Sequence, residues 1–591
     1  MAARGSQTVA VKPKNTRKAL ARLLSYVSEY KAILLLALLL SFVGNIAGLI
    51  GPGMAGSAID AASAGAGKVD MNAVWYYAKR MLLCYLFSSA TGIGVSILMM
   101  SVSKNIAQNM RRDVFDKMMK LPVGYFDTNS TGDIISRVSY DVDVVCTSLS
   151  TDIVQIMTSI VTVLGALFMM MKISLRLSVV VIITLPVSIG YTVWMRKKTQ
   201  PRYSQRSKAY GNMNGFVEEM FSGQKTIQAY AYESTVEQGF EAVNSEAAEA
   251  NRDAEFYGST MGPTMSMINN ITLGLIAALG SALYIMKLVS LGQISSFVLY
   301  SRKFSGPVNE IAGVMNEIYS ALSASERIFA LIDETEEPAD DPDAMVLENV
   351  KGDVELKHVS FGYTPDKTVL HDLSLKADAE KLIAIVGPTG SGKSTIINLL
   401  MRFYEINSGE ILVDGVNIKN ITRDSLRRAY AMVLQETWVF NGTVFDNIAY
   451  GKENATKAEV VRAAKAAHIH SFIMQLPKGY QTVIGEDGGN ISKGQKQLLT
   501  IARAMLYDSN MLILDEATSN VDTDTEREIQ AAMRSLMSDK TCFVIAHRLS
   551  TIQNADRILV VNHGDVIEQG THDSLMAQKG FYYDLYSAQF E

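Results

Sequence analysis

Charged residues are scarce in this chain, and cysteine is scarcer. Asp, Glu, Lys and Arg make up 19% of the 591 residues, against 48% hydrophobic. That is little charge for a soluble protein, and the shortage is uneven: charges are thin between about residues 32 and 300 and ordinary after about 340. A membrane half followed by a soluble half accounts for this better than one uniform globule, and the length asks for at least two domains. The three cysteines, Cys84, Cys146 and Cys542, are far apart and odd in number, which argues against a disulfide framework or a Cys-rich metal site. Each is expected to pack as a small apolar residue. No Cys or His cluster falls in the apolar stretches, which argues against heavy-metal handling. The formal net charge of −5 gives no electrostatic case for nucleic acid as a partner. A cleavable-signal pattern is also missing, because Arg4, Lys12, Lys14, Arg17, Lys18 and Arg22 precede any apolar run. Residues 1–31 are expected to form a cytosolic tail, part of it disordered.

What the chain does have is long apolar runs. Crossing about 30 Å of hydrocarbon takes roughly 20 apolar helical residues. Six stretches meet this: Ala32 to about Pro52, Met81–Met100, Ile153–Met171, Leu177–Met195, about Met261 to Met286, and a sixth, least apolar one from near Ile294. The third and fourth are expected to be joined by a tight link containing Lys172 and Arg176. Lys and Arg gather in the tail, after the second stretch (Lys104, Arg111, Arg112, Lys117, Lys120) and after the fourth (Arg196, Lys197, Lys198, Arg202, Arg206, Lys208). The opposite loops carry fewer, namely Lys68, Lys172, Arg176 and Lys287. The positive-inside rule then puts both termini in the cytosol; the spans are expected in the plasma (inner) membrane.

Two polar stretches, about 101–150 and 196–255, keep helical patterning. They read as membrane helices that continue into the cytosol, turn near Asp127–Asp133 and near Phe221–Lys225, and return. The sixth stretch contains Arg302, Lys303 and Glu310 near Pro307. Arg302 lies roughly 12 Å into the helix at 1.5 Å per residue. An ionisable group at that depth faces a hydrated cavity or pairs with an acid such as Glu310.

The second half carries the signs of phosphate chemistry. Residues 354–363, VELKHVSFGY, alternate like a strand. A further apolar run, Lys381–Val386, leads into GPTGSGKST, Gly387–Thr395, and then a helical run, IINLLMRFY. Strand, glycine loop and helix in that order are the setting a P-loop requires. Gly387, Gly390 and Gly392, with Thr389 and Ser391 among them, let the backbone turn and aim its N–H groups at phosphate oxygens. The helix N-terminus adds partial positive charge. Lys393 is expected to reach the β- and γ-phosphates of ATP and Ser394 to hold Mg²⁺, with Thr395 closing the nucleotide-binding stretch. MLILDE, Met511–Glu516, reads as a buried strand ending in two acids. Asp515 would hold Mg²⁺, and Glu516 would polarise the attacking water as general base.

Between these motifs lies ISKGQ, Ile491–Gln495, ahead of QLLTIARAML. With it the second half, about residues 345–591, resembles the nucleotide-binding domain of ABC transporters, whose signature is LSGGQ. Further motifs stand in that family's order. Tyr363 resembles the aromatic that stacks on adenine. Gln435, in VLQETWVF, resembles the glutamine that touches Mg²⁺ and senses the γ-phosphate. SNVD, Ser519–Asp522, resembles the loop joining the two catalytic sites, and His547, in VIAHRLS, the switch histidine at the γ-phosphate. Six spans with long cytosolic excursions resemble the exporter branch with fused membrane and ATPase domains. SALSASERIF, Ser320–Phe329, looks like that branch's link towards the ATPase, the acidic Asp333–Asp343 an exposed linker, and the two cytosolic turns its coupling helices. The expected fold is thus a membrane all-α domain of six helices, 32–332, a linker, 333–350, and an α/β P-loop ATPase domain, 351–591.

In this family two ATPase domains close head to tail over two ATPs. Ser492, Gly494 and Gln495 would therefore cap the nucleotide of a second half-transporter subunit, and a chain with one P-loop and one signature implies a dimer. The signature has Ile491 for the usual Leu and Lys493 for a usual Gly, and Asn520 stands for the usual Ala, while Glu516 and His547 are kept. Loss of Gly removes backbone freedom and brings a long cation towards the phosphates. The combination resembles the catalytically complete subunit of a heterodimeric bacterial multidrug-type exporter; a homodimer tolerating Lys493 is the alternative. The resemblance implies export of unidentified amphipathic small molecules by alternating access, in contact with membrane lipids. Lipid or lipid-conjugate flipping is a second reading, and an ATP-gated channel or regulatory subunit a third, against which Glu516 weighs. A peptide exporter with a processing protease is not expected, because no Cys-bearing protease domain precedes the first span.

Overall fold

The computed structural model describes residues 16–63, 69–435, 437–485, 491–515, 523–546 and 552–590. They divide into two compact units. One takes in the described residues up to Leu121 and Asn129–Thr335; the other takes in Pro122–Thr128 and the described residues from Glu336 on.

The first unit is helical. Its elements are α1 (Thr16–Ser28), α2 (Lys31–Ala62) and α3 (Met71–Met118) and, beyond α4 (Val123–Thr128) of the second unit, α5 (Thr131–Ser136), α6 (Val142–Thr147), α7 (Ile153–Ile173), α8 (Leu175–Ser222), α9 (Gln224–Ala229), α10 (Glu233–Ile285) and α11 (Leu291–Ile332). Wider π turns at Arg137–Asp141 and Ser148–Asp152 join α5, α6 and α7 end to end. Among the described residues, five runs are long and apolar enough to cross a membrane: Lys31–Ala62, Met71–Met118, Thr131–Ile173, Leu175–Ser222 and Glu233–Ile285. Their large apolar side chains, among them Leu35, Phe42, Leu82, Ile97, Leu164 and Ile183, are exposed, as a lipid solvent requires. The sixth expected span, within α11, is long enough but, among the described residues, does not reach that apolar content. The long polar stretches are helical. At 48 residues α3 and α8 each extend roughly 70 Å, more than twice the hydrocarbon thickness. The link between α7 and α8 is tighter than expected. Lys172 and Arg176 lie inside the helices, leaving Ser174 alone to cap α8 by accepting from the Leu177 N–H.

Small residues bring α2 against its neighbours. Gly44, Gly48, Pro52 and Gly56 recur every four residues and are buried. A Cβ on Gly56 would lie 2.4 Å from the Gly292 carbonyl oxygen of α11, so this crossing depends on glycine. Three side chains of α11 then reach the α2 backbone: Ser296 donates to Pro52 O at 2.9 Å, Tyr300 to Leu49 O at 2.7 Å and Lys303 to Gly48 O at 2.8 Å. Asp60 accepts from Ser290 Oγ at 2.6 Å and from the Gly292 N–H at 2.7 Å. That is the N-terminus of α11, where the helix dipole favours a carboxylate. Lys303 therefore bonds a backbone carbonyl, while Arg302 is exposed; the Glu310 side chain lies outside the described residues. Near the other end of α11, Arg327 holds the buried Asp141 with two bonds, of 2.6 and 2.9 Å. Within the expected tail, α1 buries Ala19 and Leu23, and Arg22 pairs with Asp333 at 2.5 Å.

The second unit is built on sheets. An antiparallel sheet runs in the order β2-β1-β4-β5, with β1 (Val354–Phe361), β2 (Leu370–Ala377), β4 (Ser408–Val413) and β5 (Val416–Asn417). A larger sheet runs β12-β11-β3-β10-β9-β6, with β3 (Leu382–Val386), β6 (Tyr430–Val433), β9 (Met511–Asp515), β10 (Thr541–Ile545), β11 (Arg557–Asn562) and β12 (Asp565–Gly570). It is parallel except for β12. The short β7 (Gly442–Thr443) and β8 (Val483–Ile484) pair alone. Side chains of β3 and β9 alternate between two cores. Ile383, Ile385, Met511 and Ile513 face the antiparallel sheet and α12 (Lys393–Leu400) and α13 (Arg423–Arg428). Ala384, Val386, Leu512 and Leu514 face α14 (Val444–Ala449), α15 (Lys457–Ala466), α16 (His470–Gln475), α17 (Lys493–Tyr507) and α18 (Thr523–Met537). The alternation expected of 354–363 is interrupted by register shifts between Leu356 and Phe361, where His358 has φ +50°. Such an irregularity bends the strand, and Tyr363 falls outside it.

The acidic segment after α11 is not simply exposed. Asp340 accepts from Arg423 Nη1 at 2.7 Å, and Glu337 pairs with Arg427. Arg423, only 7% exposed, also bonds Glu405 at 2.7 Å. Buried guanidinium groups require such partners, and the acids of 337–340 supply them.

Candidate functional site

The C-terminal ends of the parallel strands lie together, and the candidate residues collect along that edge. After β3 the chain enters the glycine loop. Gly387 has φ +153°, and a Cβ there would lie 2.0 Å from the Val561 carbonyl oxygen, so no other residue fits. Gly392, with φ +107°, is the residue before α12. Thr389 and Gly390 are exposed at the loop tip. Lys393, 8% exposed, folds back and donates to Gly387 O and Pro388 O, each at 2.9 Å. Burial lowers the pKa of its ammonium, and the Asp515 carboxylate opposes that shift. Ser391 Oγ is buried without a hydrogen-bond partner. An unsatisfied hydroxyl inside a glycine loop is what an oxyanion ligand would complete.

Ser394 is exposed in the first turn of α12. Asp515 ends β9, and in the neighbouring strand Val433 pairs with Leu514. This brings Gln435, two residues past β6 and exposed, to the same edge. Ser394, Gln435 and Asp515 offer oxygen donors, the chemistry a hard divalent cation takes. Among the described residues no cluster of three or more His, Cys, Asp or Glu could hold a metal alone. A cation here would draw its remaining ligands from phosphate oxygens and water, as Mg²⁺ does in phosphoryl-transfer sites. Glu516, His547 and Ser519–Asp522 lie outside the described residues.

Tyr363 is 47% exposed. Its hydroxyl lies 3.1 Å from Thr395 Oγ1 and accepts from Asn398 Nδ2 at 3.4 Å. Its ring meets those of Phe361 and Tyr404 nearly at right angles, with centroids 5.0 and 4.9 Å away. Sequence reasoning missed Tyr404. The only hint was an aromatic pair, Phe403 and Tyr404, just past the P-loop helix.

The signature stands apart from this edge in sequence and forms the head of α17. Ser492 accepts from the Gln495 N–H at 3.3 Å, and the Ser492 N–H donates to Gln495 Oε1 at 2.9 Å. This is a capping box. Gly494 is buried, while Ser492 and Lys493 are exposed. Lys493 is the first residue of the helix and has no positive φ, so this position does not call on the backbone freedom that a glycine would have kept. What the substitution adds is an exposed cation at a helix N-terminus, the end the dipole makes unfavourable for it.

Comparison with known proteins agrees with this arrangement. Residues 34–308 match the family model described as ABC transporter transmembrane region, and residues 370–519 the one described as ABC transporter. A fatty acid ABC transporter ATP-binding/permease protein of Mycobacterium bovis is 44% identical, over 83% of this chain and 77% of its own. An ATP-dependent lipid A-core flippase of Mannheimia succiniciproducens is 37% identical, over 89% of this chain and 90% of its own. A solved bacterial Atm1-family ABC exporter with ATP bound matches with a TM-score of 0.76 at 29% identity, covering 95% of this chain and 99% of that one. The chain therefore belongs to the ABC transporter family, as an exporter with fused transmembrane and ATP-binding domains that couples ATP hydrolysis to transport.

Proposed function

We propose that this chain is the catalytically complete half of a heterodimeric exporter that moves amphipathic molecules across the plasma membrane by alternating access. The observation that carries the reading is the strand edge at which Lys393, Ser394, Gln435 and Asp515 gather around a glycine loop with an unsatisfied Ser391 hydroxyl. In this reading Lys393 and the 387–392 backbone hold the β- and γ-phosphates, and Tyr363 stacks on the base. Ser394, Gln435 and Asp515 hold Mg²⁺, which when bound neutralises charge on the phosphates. Glu516 takes the proton of the attacking water, and His547 contacts the γ-phosphate. Ser492, Gly494 and Gln495 cap the nucleotide of a second subunit. Lys493, exposed beside them, favours a partner whose own site is altered to face a cation. The basic segments flanking the spans favour cytosolic termini.

Lipid cargo is the second reading, favoured by the names of two relatives, a fatty acid transporter and a lipid A-core flippase. The test is reconstitution of the chain, with and without each candidate partner, in phosphatidylethanolamine–phosphatidylglycerol vesicles. ATP-driven movement of a fluorescent amphipathic cation is followed beside that of a fluorescent fatty acid. Movement that needs the second chain supports the heterodimer, and full transport by this chain alone rejects it. Movement of the fatty acid only makes lipid the cargo. Hydrolysis without movement of either probe rejects the proposal.

A further inference from the structure

Each π turn of the Thr131–Ile173 run ends on a buried aspartate, Asp141 in one and Asp152 in the other. Such turns widen a helix and are frequent at functional sites. Both turns pack against α11, which treats the two acids differently. To Asp141 it offers Arg327, whose two bonds neutralise the carboxylate. Eleven residues further along the run, roughly 16 Å at 1.5 Å per residue, it offers Asp152 a second acid, Glu317. Asp152 is 3% exposed. Its Oδ1 accepts from Thr151 Oγ1 at 2.9 Å, while Oδ2 is buried without a donor. The Glu317 carboxyl lies within hydrogen-bonding reach of Asp152, and two carboxylates bond each other only through a shared proton. Among the described residues no basic side chain pairs with either acid. On the elements packed against Ser148–Asp152, Arg111 of α3 is bonded to Asp143 of α6 and Arg327 of α11 to Asp141; Lys104 of α3 is exposed, and Lys172 lies at the other end of α7. Glu317 is exposed, so the pair is open on one side. Gly313 stands one turn back on the same face of α11, and a Cβ there would meet no described atom, which leaves room beside the pair.

Resting on the reading of this chain as an exporter of amphipathic molecules, we propose that Asp152 and Glu317 form a site for a cationic head group of the cargo, which enters as their shared proton leaves. With the proton, the pair carries one net negative charge. With the cation and no proton, it carries the same. The proton passes to water, and both carboxylates then face the cation. A buried ionised group is tolerated only when it is paired, and the exchange leaves neither acid stranded. Arg327 at Asp141 shows the kind of arrangement that results, with a guanidinium from outside the run completing a buried aspartate. An uncharged or anionic head group offers no replacement for the proton, so the pair selects cations over fatty acid carboxylates.

The test is binding of two probes to the full chain in lipid nanodiscs, together with any partner it requires, measured against empty nanodiscs from about pH 5 to about pH 9. One probe is a dansyl-labelled dodecylguanidinium, charged throughout that range; the other is its uncharged dodecylurea isostere. Guanidinium affinity is expected to rise with pH, by up to about tenfold per pH unit, the limit for one displaced proton. Calorimetry in buffers of different ionisation enthalpy should show that proton released. The urea should show neither effect. Glu317→Gln and Asp152→Asn are each expected to weaken guanidinium binding by about tenfold or more and to abolish the proton release, with urea binding kept. Glu317 is exposed, so its variant serves even where Asp152→Asn disturbs the π turn. Guanidinium binding that ignores both pH and Glu317→Gln overturns the site, as it would if a basic side chain of the partner subunit already held the pair. If neither probe binds, and neither is moved while ATP is hydrolysed, the export reading itself fails. If both bind and are moved alike, with Glu317→Gln changing nothing, the carboxyl pair alone is wrong.

Discussion

The ammonium of Lys303 donates to the carbonyl oxygen of Gly48 at 2.8 Å, and Gly48 stands four residues before Pro52 inside the same helix. Proline has no N–H, so it leaves the carbonyl four residues back without its helical donor. In a bilayer no water replaces that donor. Lys303 supplies one from another helix, and Gly48 O gives a half-buried cation the acceptor it needs. Lys303→Met is therefore expected to destabilise the membrane unit by about 1 kcal/mol. Pro52→Ala restores the internal donor. In Pro52→Ala the loss from Lys303→Met should shrink, leaving a non-zero coupling in a double-mutant cycle read by unfolding in micelles. Strict additivity would refute the link.

Arg327 and Asp141 form another long-range polar contact of that unit. Asp141 is 3% exposed and Arg327 45% exposed. Arg327→Ala strands a buried carboxylate, which costs about 2–3 kcal/mol once the partial exposure of the arginine is allowed for. Arg327→Lys keeps the charge but loses the two-pronged fit, and should fall between. Thermal unfolding of the three proteins in detergent gives the order directly.

Lys393 predicts a pH dependence with two signs. Burial lowers its pKa in the fold below 10.5, so between that depressed value and 10.5 the unfolded chain holds the proton better. Without nucleotide, stability should rise with pH through this window. Polyphosphate favours the ammonium, so nucleotide affinity should fall with rising pH over the same range. Lys393→Met should weaken MgATP binding by about 10- to 100-fold and flatten this pH dependence. Calorimetric titration against MgATP at several alkaline pH values measures it.

Glu516→Gln keeps shape and loses basicity. Hydrolysis by the assembled transporter should fall by about 100-fold or more, while MgATP binding persists. A turnover equal to wild type would remove Glu516 from its role.

Lys493→Gly removes the exposed cation from the head of α17. If that cation faces phosphates held by a second subunit, the assembled complex should bind nucleotide with altered affinity at that subunit's site, by about fivefold or more. The isolated chain should bind MgATP as before. Equal effects on both would place Lys493 away from the interface.

The glycine loop was legible because it is contiguous. A strand, Gly387 to Gly392 and a helix starting at Lys393 are one stretch of chain, and the backbone demands are met within it. The apolar runs of α2, α3, α7, α8 and α10 were legible for a different reason. Lipid imposes the same requirement on each helix whatever its neighbours. The helical character of the polar excursions followed from their period, and their turns from the Gly and small polar residues that interrupt it. The π turns at Arg137 and Ser148 did not, since they leave the composition unchanged.

What could not be read from order and composition is how distant polar groups find one another. Lys303 and Gly48 are 255 residues apart, Arg327 and Asp141 186, and Tyr404 and Asp127 277. From the amino acids it followed that Arg302 faces a hydrated cavity or pairs with an acid; folding leaves Arg302 exposed and gives its neighbour Lys303 a backbone carbonyl. It followed likewise that Glu337 and Asp340 were acidic, while folding gave them buried arginines. Local periodicity reports which face of an element is apolar. The satisfaction of a buried donor or acceptor is a property of the whole packed chain, because its partner is fixed by which segments meet in space.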